Sequence, residues 1–214
     1  MKRLIATGLR IIFRIEDHLS WCLNQLATRY GEGVHVKHRL MLYHDFFVER
    51  IRPEDHVLDI GCGIGAVAYS VASRSGAKVT GIDLSAKNIA LARDRFEHPG
   101  LTFMHADVLH GLPPGEYDVI LLSNILEHIE HRNEFLTTIS QRLHPKRWLI
   151  RVPLSTRDWR VPLRKELGLF HFSDPTHYTE YTQESFEDEM RQAGLQVVEL
   201  RINWGEIWAE AKNA

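Results

Sequence analysis

Apolar positions follow two regimes along the chain. Up to about residue 52 they recur at helical spacing, as with Leu40, Tyr43, Phe47, Val48 and Ile51, which predicts helix. Gly31 and Gly33 interrupt this stretch and predict a break between two helices. From Asp55 onward, short apolar runs alternate with helical periods. His56–Ile60, Lys78–Ile82, Leu101–His105, Tyr117–Ser123 and Trp148–Val152 read as strands. Between them lie helical stretches: Ile64–Ser73, stopped near Gly76; a helix capped by Ser85 and running to about Phe96; and Asn133–Leu143, ended by His144-Pro145. Residues 153–181 show no clear period and are expected to form a long irregular loop. Thr182 then caps a helix that turns Phe186, Met190 and Ala193 inward and closes at Gly194. Leu195–Ile202 and Glu206–Ala211 complete the pattern as two final strands.

Strands alternating with helices imply an α/β fold, a mostly parallel sheet with helices on both faces. Ligands of such sheets bind at the carboxyl ends of the strands. The strand-end residues that matter are therefore Asp59 to Gly65, Asp83, Asp107 and Ser123 to His128.

Length and composition restrict the picture further. A chain of 214 residues suits one domain, here 1–52 as a helical segment and 53–214 as the ligand-binding core. A net charge of -2 argues against general nucleic-acid binding. Cys22 and Cys62 read as reduced thiols, because Cys62 lies in a glycine-rich turn, so a cytoplasmic protein is expected. Residues 1–15 are basic and apolar, with Lys2, Arg3, Arg10 and Arg14 among Leu4, Ile5, Leu9, Ile11, Ile12 and Phe13. Two readings stand: an amphipathic helix packed on the domain, or one that touches a partner or the inner membrane face peripherally. No run reaches the roughly 18 apolar residues of a membrane span.

The segment Val57-Leu-Asp-Ile-Gly-Cys-Gly-Ile-Gly65 carries the strongest chemical signal. Gly61-x-Gly63-x-x-Ala66 also satisfies the dinucleotide fingerprint, and Asp83, ending the next strand, suits a ribose in either an NAD or an S-adenosylmethionine (SAM) site. Asp59 distinguishes the two. A carboxylate beside the turn opposes a pyrophosphate, whereas it suits the sulfonium and ammonium of SAM.

The turn DIGCGIG, then GIDLS at 81–85, Ala106-Asp107, and YDVILLSNILEHI at 117–129 together resemble the successive motifs of class I SAM-dependent methyltransferases, over about residues 50–210. That resemblance implies a Rossmann-like, seven-stranded sheet ending in an antiparallel hairpin, with SAM as methyl donor. It implies that Asp59, Gly61, Cys62, Gly63 and Gly65 line the methionine end, that Asp83 with Leu84 holds the ribose, that Asp107 and Val108 meet the adenine, and that Ser123 and Asn124 border the methyl group. Leu126-Glu127-His128-Ile129 resembles a segment of small-molecule methyltransferases, including those of quinone synthesis.

A hydroxyl acceptor calls for a base, and His128, just past the fourth strand, is the candidate catalytic residue. Glu127 with His131 (i, i+4) and His128 with His131 (i, i+3) have spacings that could form part of a metal site, but no further ligand is predictable from the sequence, so no metal is expected. Arg157, Arg160, His171, His177 and Tyr178, on the 153–181 segment, are candidate contacts for a small or lipid- or sugar-linked acceptor, with this loop acting as a lid. The reading that follows is methyl transfer to a small molecule at oxygen. The alternatives are a non-catalytic SAM-fold partner protein and an NAD-dependent oxidoreductase.

Overall fold

Alternate residues of the central strands are buried in opposite directions, which commits each strand to a sheet covered on both sides. Leu58 and Ile60 join one apolar cluster with Ile120, Leu122, Trp148 and Ile150, whereas Val57 joins a second with Val119, Leu121 and Leu149. The computed structural model describes all residues, 1–214. Its elements are α1 (Lys2–Tyr30), α2 (Lys37–Met41), α3 (Tyr43–Val48), β1 (His56–Ile60), α4 (Ala66–Ser75), β2 (Lys78–Asp83), α5 (Ala86–Arg95), β3 (Leu101–His105), β4 (Val119–Ser123), α6 (Arg132–Leu143), β5 (Arg147–Pro153), α7 (Arg160–Glu166), α8 (Gln183–Gln192), β6 (Leu195–Asn203) and β7 (Glu206–Asn213), with one 3-10 turn at Leu126–His128.

The strands form one seven-stranded sheet in the order β3-β2-β1-β4-β5-β7-β6. Strands β1 to β5 pair in parallel, and β7 runs antiparallel to both β5 and β6. From β1 the chain builds outward through β2 to β3, then returns to lay β4 on the other side of β1. The order reverses between β1 and β4, where neighbouring loops diverge and open a crevice beyond the strand ends. Helices α6 and α8 cover one face through Phe135, Leu136, Ile139, Phe186 and Met190. Helices α3, α4 and α5 cover the other through Phe46, Phe47, Val71, Ala72 and Ile89. Ser85 and Thr182 cap α5 and α8 as their positions predict, and Thr182 adds a reciprocal bond with Ser185.

Two expectations are corrected. The N-terminal region holds three helices rather than two, because Leu42 adopts a left-handed conformation (φ 55°) that separates α2 from α3. The 153–181 segment is not irregular throughout: it contains α7, and it is organised around Glu180. That side chain is buried and accepts bonds from Arg157, Ser173 Oγ (2.7 Å) and His177 Nδ1 (3.2 Å). A polar hub of this kind has no apolar period, so pattern reading passes over it.

Helix α1 touches the rest of the chain through a narrow strip. Phe13 is its one buried residue, and the Arg164 guanidinium lies 4.4 Å from the Phe13 ring centre while bonding Glu16 (2.9 Å) and Asp17 (2.8 Å). Leu4, Ile11, Ile12, Ile15, Leu19, Leu23 and Leu26 are exposed and share one side of this helix.

Gly65 begins α4 at φ +83°, and a Cβ there would sit 2.5 Å from the Phe103 ring. Gly65→Ala combines backbone strain with overpacking and should destabilise the protein by about 2–4 kcal/mol. Chemical denaturation should report this as a lower midpoint with an unchanged slope.

Candidate functional site

At the β1/β4 reversal a cleft of about 250 Å³ is lined by Asp59, Gly61, Cys62, Gly63, Ile64, Ser123 and Asn124 from the sheet side and by Lys37, His38 and Tyr43 from α2 and α3. The turn that forms its floor is tight for a steric reason. A Cβ on Gly61 (φ +70°) would overlap the Ile125 side chain, so the chain can pass here only as glycine. Asp83 then holds the turn in place: its carboxylate accepts the Gly63 N–H (2.8 Å), the Ser85 N–H (2.8 Å) and Asn88 Nδ2 (3.1 Å).

Asp59 is 1 % exposed, and its Oδ2 has no hydrogen-bond partner. Burial, reinforced by the nearby Asp83 charge, pushes its carboxyl up to about 8. The same burial and the two carboxylates raise the Cys62 thiol, which makes it a poor nucleophile. Asn124 sits at φ 58° with its Oδ1 buried and unpartnered. Two orphan oxygens facing one cleft form an acceptor-rich wall that a donor or cation would satisfy.

Cationic side chains also line this cleft. Arg151, in the middle of the apolar strand β5, is 4 % exposed. Its guanidinium makes a two-pronged pair with Glu206 (2.6 Å and 2.6 Å), donates to Ser123 Oγ (3.2 Å) and lies 3.7 Å from the Tyr43 ring centre. Tyr43 is pushed up to about 12 by burial, and His38, which bonds the Tyr43 hydroxyl, is lowered to about 4 by burial and the neighbouring cations. Lys37 is also lowered, first by burial and then by Arg151, against the opposing charge of Glu206, and it makes no ion pair of its own. Lys37, His38, Tyr43 and Arg151 were all missed by the sequence reading. Only Arg151 carried a signal, a charge inside the apolar run Trp148–Val152.

The remaining expected residues scatter. Leu84 is exposed beside the turn. Asp107 follows β3 as expected, but its carboxylate is used by its own turn, accepting from Leu109 N (3.0 Å) and His110 Nδ1 (2.6 Å). Val108 lines a second cleft, of about 380 Å³, together with Leu109, His128, His131 and Tyr178. Arg157 and Arg160 were expected to face an acceptor. Both are instead paired within the chain, Arg157 with Glu180, and Arg160 with Asp158 and Glu16 (2.5 Å), and with His171 they border a third cleft. Charges close together in space neutralise one another whatever their spacing in sequence.

Beside the second cleft, Glu127 is fully buried with both carboxyl oxygens unpartnered, and burial pushes it up to about 8. His128 is lowered by burial, bonds Thr176 Oγ1 (2.8 Å) and meets the His177 ring edge-on at 4.6 Å. In sequence Glu127 stood out only through its spacing to His131 and its place beside His128.

A sheet in this order, with a glycine turn after its first strand and acidic residues ending the first two, defines the class of SAM-dependent methyltransferases. The chain belongs to the methyltransferase family whose domain model, "Methyltransferase domain", matches residues 33–200. It is 29% identical over 159 residues to the ubiquinone biosynthesis O-methyltransferase of Burkholderia pseudomallei (strain 1710b), covering 70% of this chain and 68% of that protein. The mitochondrial enzyme of the same name from Schizosaccharomyces pombe is 32% identical over 116 residues, which spans 50% of this chain and only 42% of that protein. In three dimensions the chain is similar to the magnesium protoporphyrin IX methyltransferase of Synechocystis PCC 6803, with a TM-score of 0.66 at 19% identity, covering 81% of this chain and 83% of the other.

The raised Asp59 sets a pH dependence. The folded chain keeps this proton up to about pH 8, while an unfolded aspartate releases it near 4, so between these values folding takes up a proton and stability falls as pH rises. Asp59→Asn mimics the protonated form. Relative to the parent, its unfolding free energy should be closest at pH 5 and higher at pH 8, with the gap growing by at most about 1.4 kcal/mol per pH unit. A gap that shrinks with pH would mean Asp59 is ionised in the folded chain.

Proposed function

We propose that this chain transfers a methyl group from SAM to an oxygen of a small acceptor, with the amino-acid end of the donor in the β1/β4 cleft. The single observation that carries the reading is the charge layout of that cleft: a buried, orphaned Asp59 carboxyl on one wall and the unpaired Lys37 ammonium on the other. A donor with an ammonium, a sulfonium and a carboxylate at one end matches both walls. Asp59 and Asn124 Oδ1 take the cationic groups, and Lys37 takes the carboxylate. Asp83 takes the ribose hydroxyls, and Leu84, Asp107 and Val108 border the adenine. Gly61, Cys62, Gly63, Gly65 and Ser123 shape the backbone wall.

When bound, the sulfonium supplies a methyl group already activated for in-line displacement, so the task of the chain is positioning and exclusion of water. Ser123 and the Arg151–Glu206 pair set the shape of the wall beside the transferring group. His128, held neutral by burial, takes the acceptor proton. His171, His177 and Tyr178 border the acceptor, while Arg157 and Arg160 act through the pairs that shape the 153–181 segment. Oxygen as the acceptor atom rests on the names of the curated relatives. The acceptor class follows the same names: a quinone precursor or another small, lipid-linked phenol.

Calorimetry with S-adenosylhomocysteine tests the donor half. Asp83→Ala should lose on the order of 2–4 kcal/mol of binding, and Lys37→Ala about 1–2 kcal/mol. Undiminished affinity in both variants would move the donor out of this cleft. Labelled SAM with phenolic, sugar, lipid and peptide acceptors tests the acceptor half. Label in phenols alone supports the reading, and label in peptides alone overturns it.

A lipid-linked acceptor fits the exposed apolar side of α1, whose first half carries Lys2, Arg3, Arg10 and Arg14 and no acid before Glu16. No helix of the protein is long and apolar enough to cross a membrane. In this reading α1 lies on an anionic bilayer, its apolar stripe at the acyl boundary and Lys2, Arg3 and Arg14 at the headgroups, while Arg10 donates to the Leu167 carbonyl. The full chain should sediment with vesicles containing anionic lipid, less so at high salt, and Ile15→Glu with Leu19→Glu should release it. Equal binding of parent and double variant would remove the membrane from the reading.

A further inference from the structure

The sequence offers the pairs Glu127/His131 and His128/His131 as partial metal patterns with no further ligand predictable. The fold substitutes a different histidine. Glu127 and His128 sit in the 3-10 turn after β4, and the 153–181 segment folds back so that Tyr178 N–H bonds the Glu127 carbonyl (2.8 Å). That contact brings in His177, and ligating atoms of Glu127, His128 and His177 all lie within 4.8 Å of one another.

Each of these three side chains is prepared in a way that a purely structural role leaves unexplained. Thr176 Oγ1 donates its proton to Asp174 Oδ1 (2.6 Å), so toward His128 it can only accept, and His128 carries its proton on Nδ1 (2.8 Å). His177 Nδ1 faces the Glu180 carboxylate (3.2 Å), which is acceptor-only, so it too carries its proton on Nδ1. Both imidazoles are therefore held as the tautomer that presents an Nε2 lone pair, each oriented by an oxygen behind it, the arrangement typical of metal-binding histidines. Glu127 is fully buried and neither of its oxygens has a partner. Polar atoms this deep are normally satisfied, and a cation shared with two lone-pair nitrogens satisfies both oxygens at once.

We propose that Glu127, His128 and His177 form a site for one divalent transition-metal ion. Two imidazole nitrogens and one carboxylate favour Mn²⁺, Fe²⁺, Co²⁺ or Zn²⁺ over Mg²⁺ or Ca²⁺, which prefer all-oxygen shells. Three protein ligands leave positions open for water or for an oxygen of another molecule. With the ion bound His128 is a ligand, so the base role given to it above applies only to the ion-free chain. On the methyl-transfer reading above, an acceptor hydroxyl bound to the ion loses its proton readily, because a cation stabilises the oxyanion. His131, although it lines the neighbouring cleft, stands outside this group.

The full chain, stripped with chelator and dialysed, should be titrated with Mn²⁺ followed by electron paramagnetic resonance, and with Zn²⁺ followed by calorimetry. About one ion per chain is expected, with imidazole nitrogen coupling in the Mn²⁺ spectrum. Glu127→Gln and His177→Ala should each weaken binding by at least about tenfold, and His131→Ala should leave it unchanged. Circular dichroism and S-adenosylhomocysteine calorimetry on the same variants separate loss of the ion from loss of the fold or of the donor site. Absence of binding in the parent chain, or binding unaltered in folded Glu127→Gln and His177→Ala, overturns the proposal. Metal binding without donor binding would instead count against the methyl-transfer reading alone.

Discussion

Arg151 imposes the constraint around which the site is built. A guanidinium in the centre of a buried strand loses most of its hydration, a cost recovered only by close and complete pairing. Glu206 on β7 supplies both prongs, Ser123 at the end of β4 takes a further N–H, and the Tyr43 ring covers its face. One side chain thus links the parallel half of the sheet, the antiparallel hairpin and the N-terminal helices. Removing either partner would leave an unpaired buried charge, a loss of about 3–5 kcal/mol in comparable cases. The pair bridges β5 and β7 in the sheet: Arg151 lies opposite Trp208, with Glu206 two residues before Trp208 on β7.

The same region concentrates groups whose burial is not compensated within the chain. Asp59, Asn124 and Glu127 all carry buried oxygens without partners, and all lie within a few residues of the ends of β1 and β4. Every unpartnered buried oxygen lies there; elsewhere only the nitrogens His44 Nε2 and Arg50 Nε lack a hydrogen bond, while Glu180 binds four groups of its own segment, and Asp55 accepts the Arg52 N–H and pairs with Arg147. Unsatisfied polarity gathered at one topological reversal marks where binding, rather than folding, supplies the missing partners. Stability is given up locally for that purpose.

The contrast between the arginines is instructive. Those of the 153–181 segment looked available for an anionic acceptor because they cluster in sequence. In space they meet Glu180, Asp158, Glu16 and Asp17, drawn from α1 and from their own segment. Lys37, which drew no notice in the sequence, is the cation that faces the glycine turn without an ion pair of its own. Availability of a charge is a property of its surroundings, not of its identity.

Much of the architecture was legible in one dimension, and for local reasons. The alternation of apolar runs with helical periods, the caps at Ser85 and Thr182 and the stops at Gly76 and Gly194 are short-range effects of backbone sterics and burial. The glycine turn with Asp59 and Asp83 was legible because a tight turn at a strand end restricts which residues fit. Other features were decided only by the tertiary structure. That His177 and not His131 stands beside Glu127 and His128 depends on how residues 153–181 fold back over the sheet, some fifty positions downstream of the turn they meet. The roles of Lys37, Tyr43 and Arg151 depend on the neighbouring helices α2 and α3 meeting β5, far along the chain, at one cleft. No period or spacing encodes such a meeting, because the energies that produce it, desolvation and pairing of charge, act between residues that are neighbours only after folding.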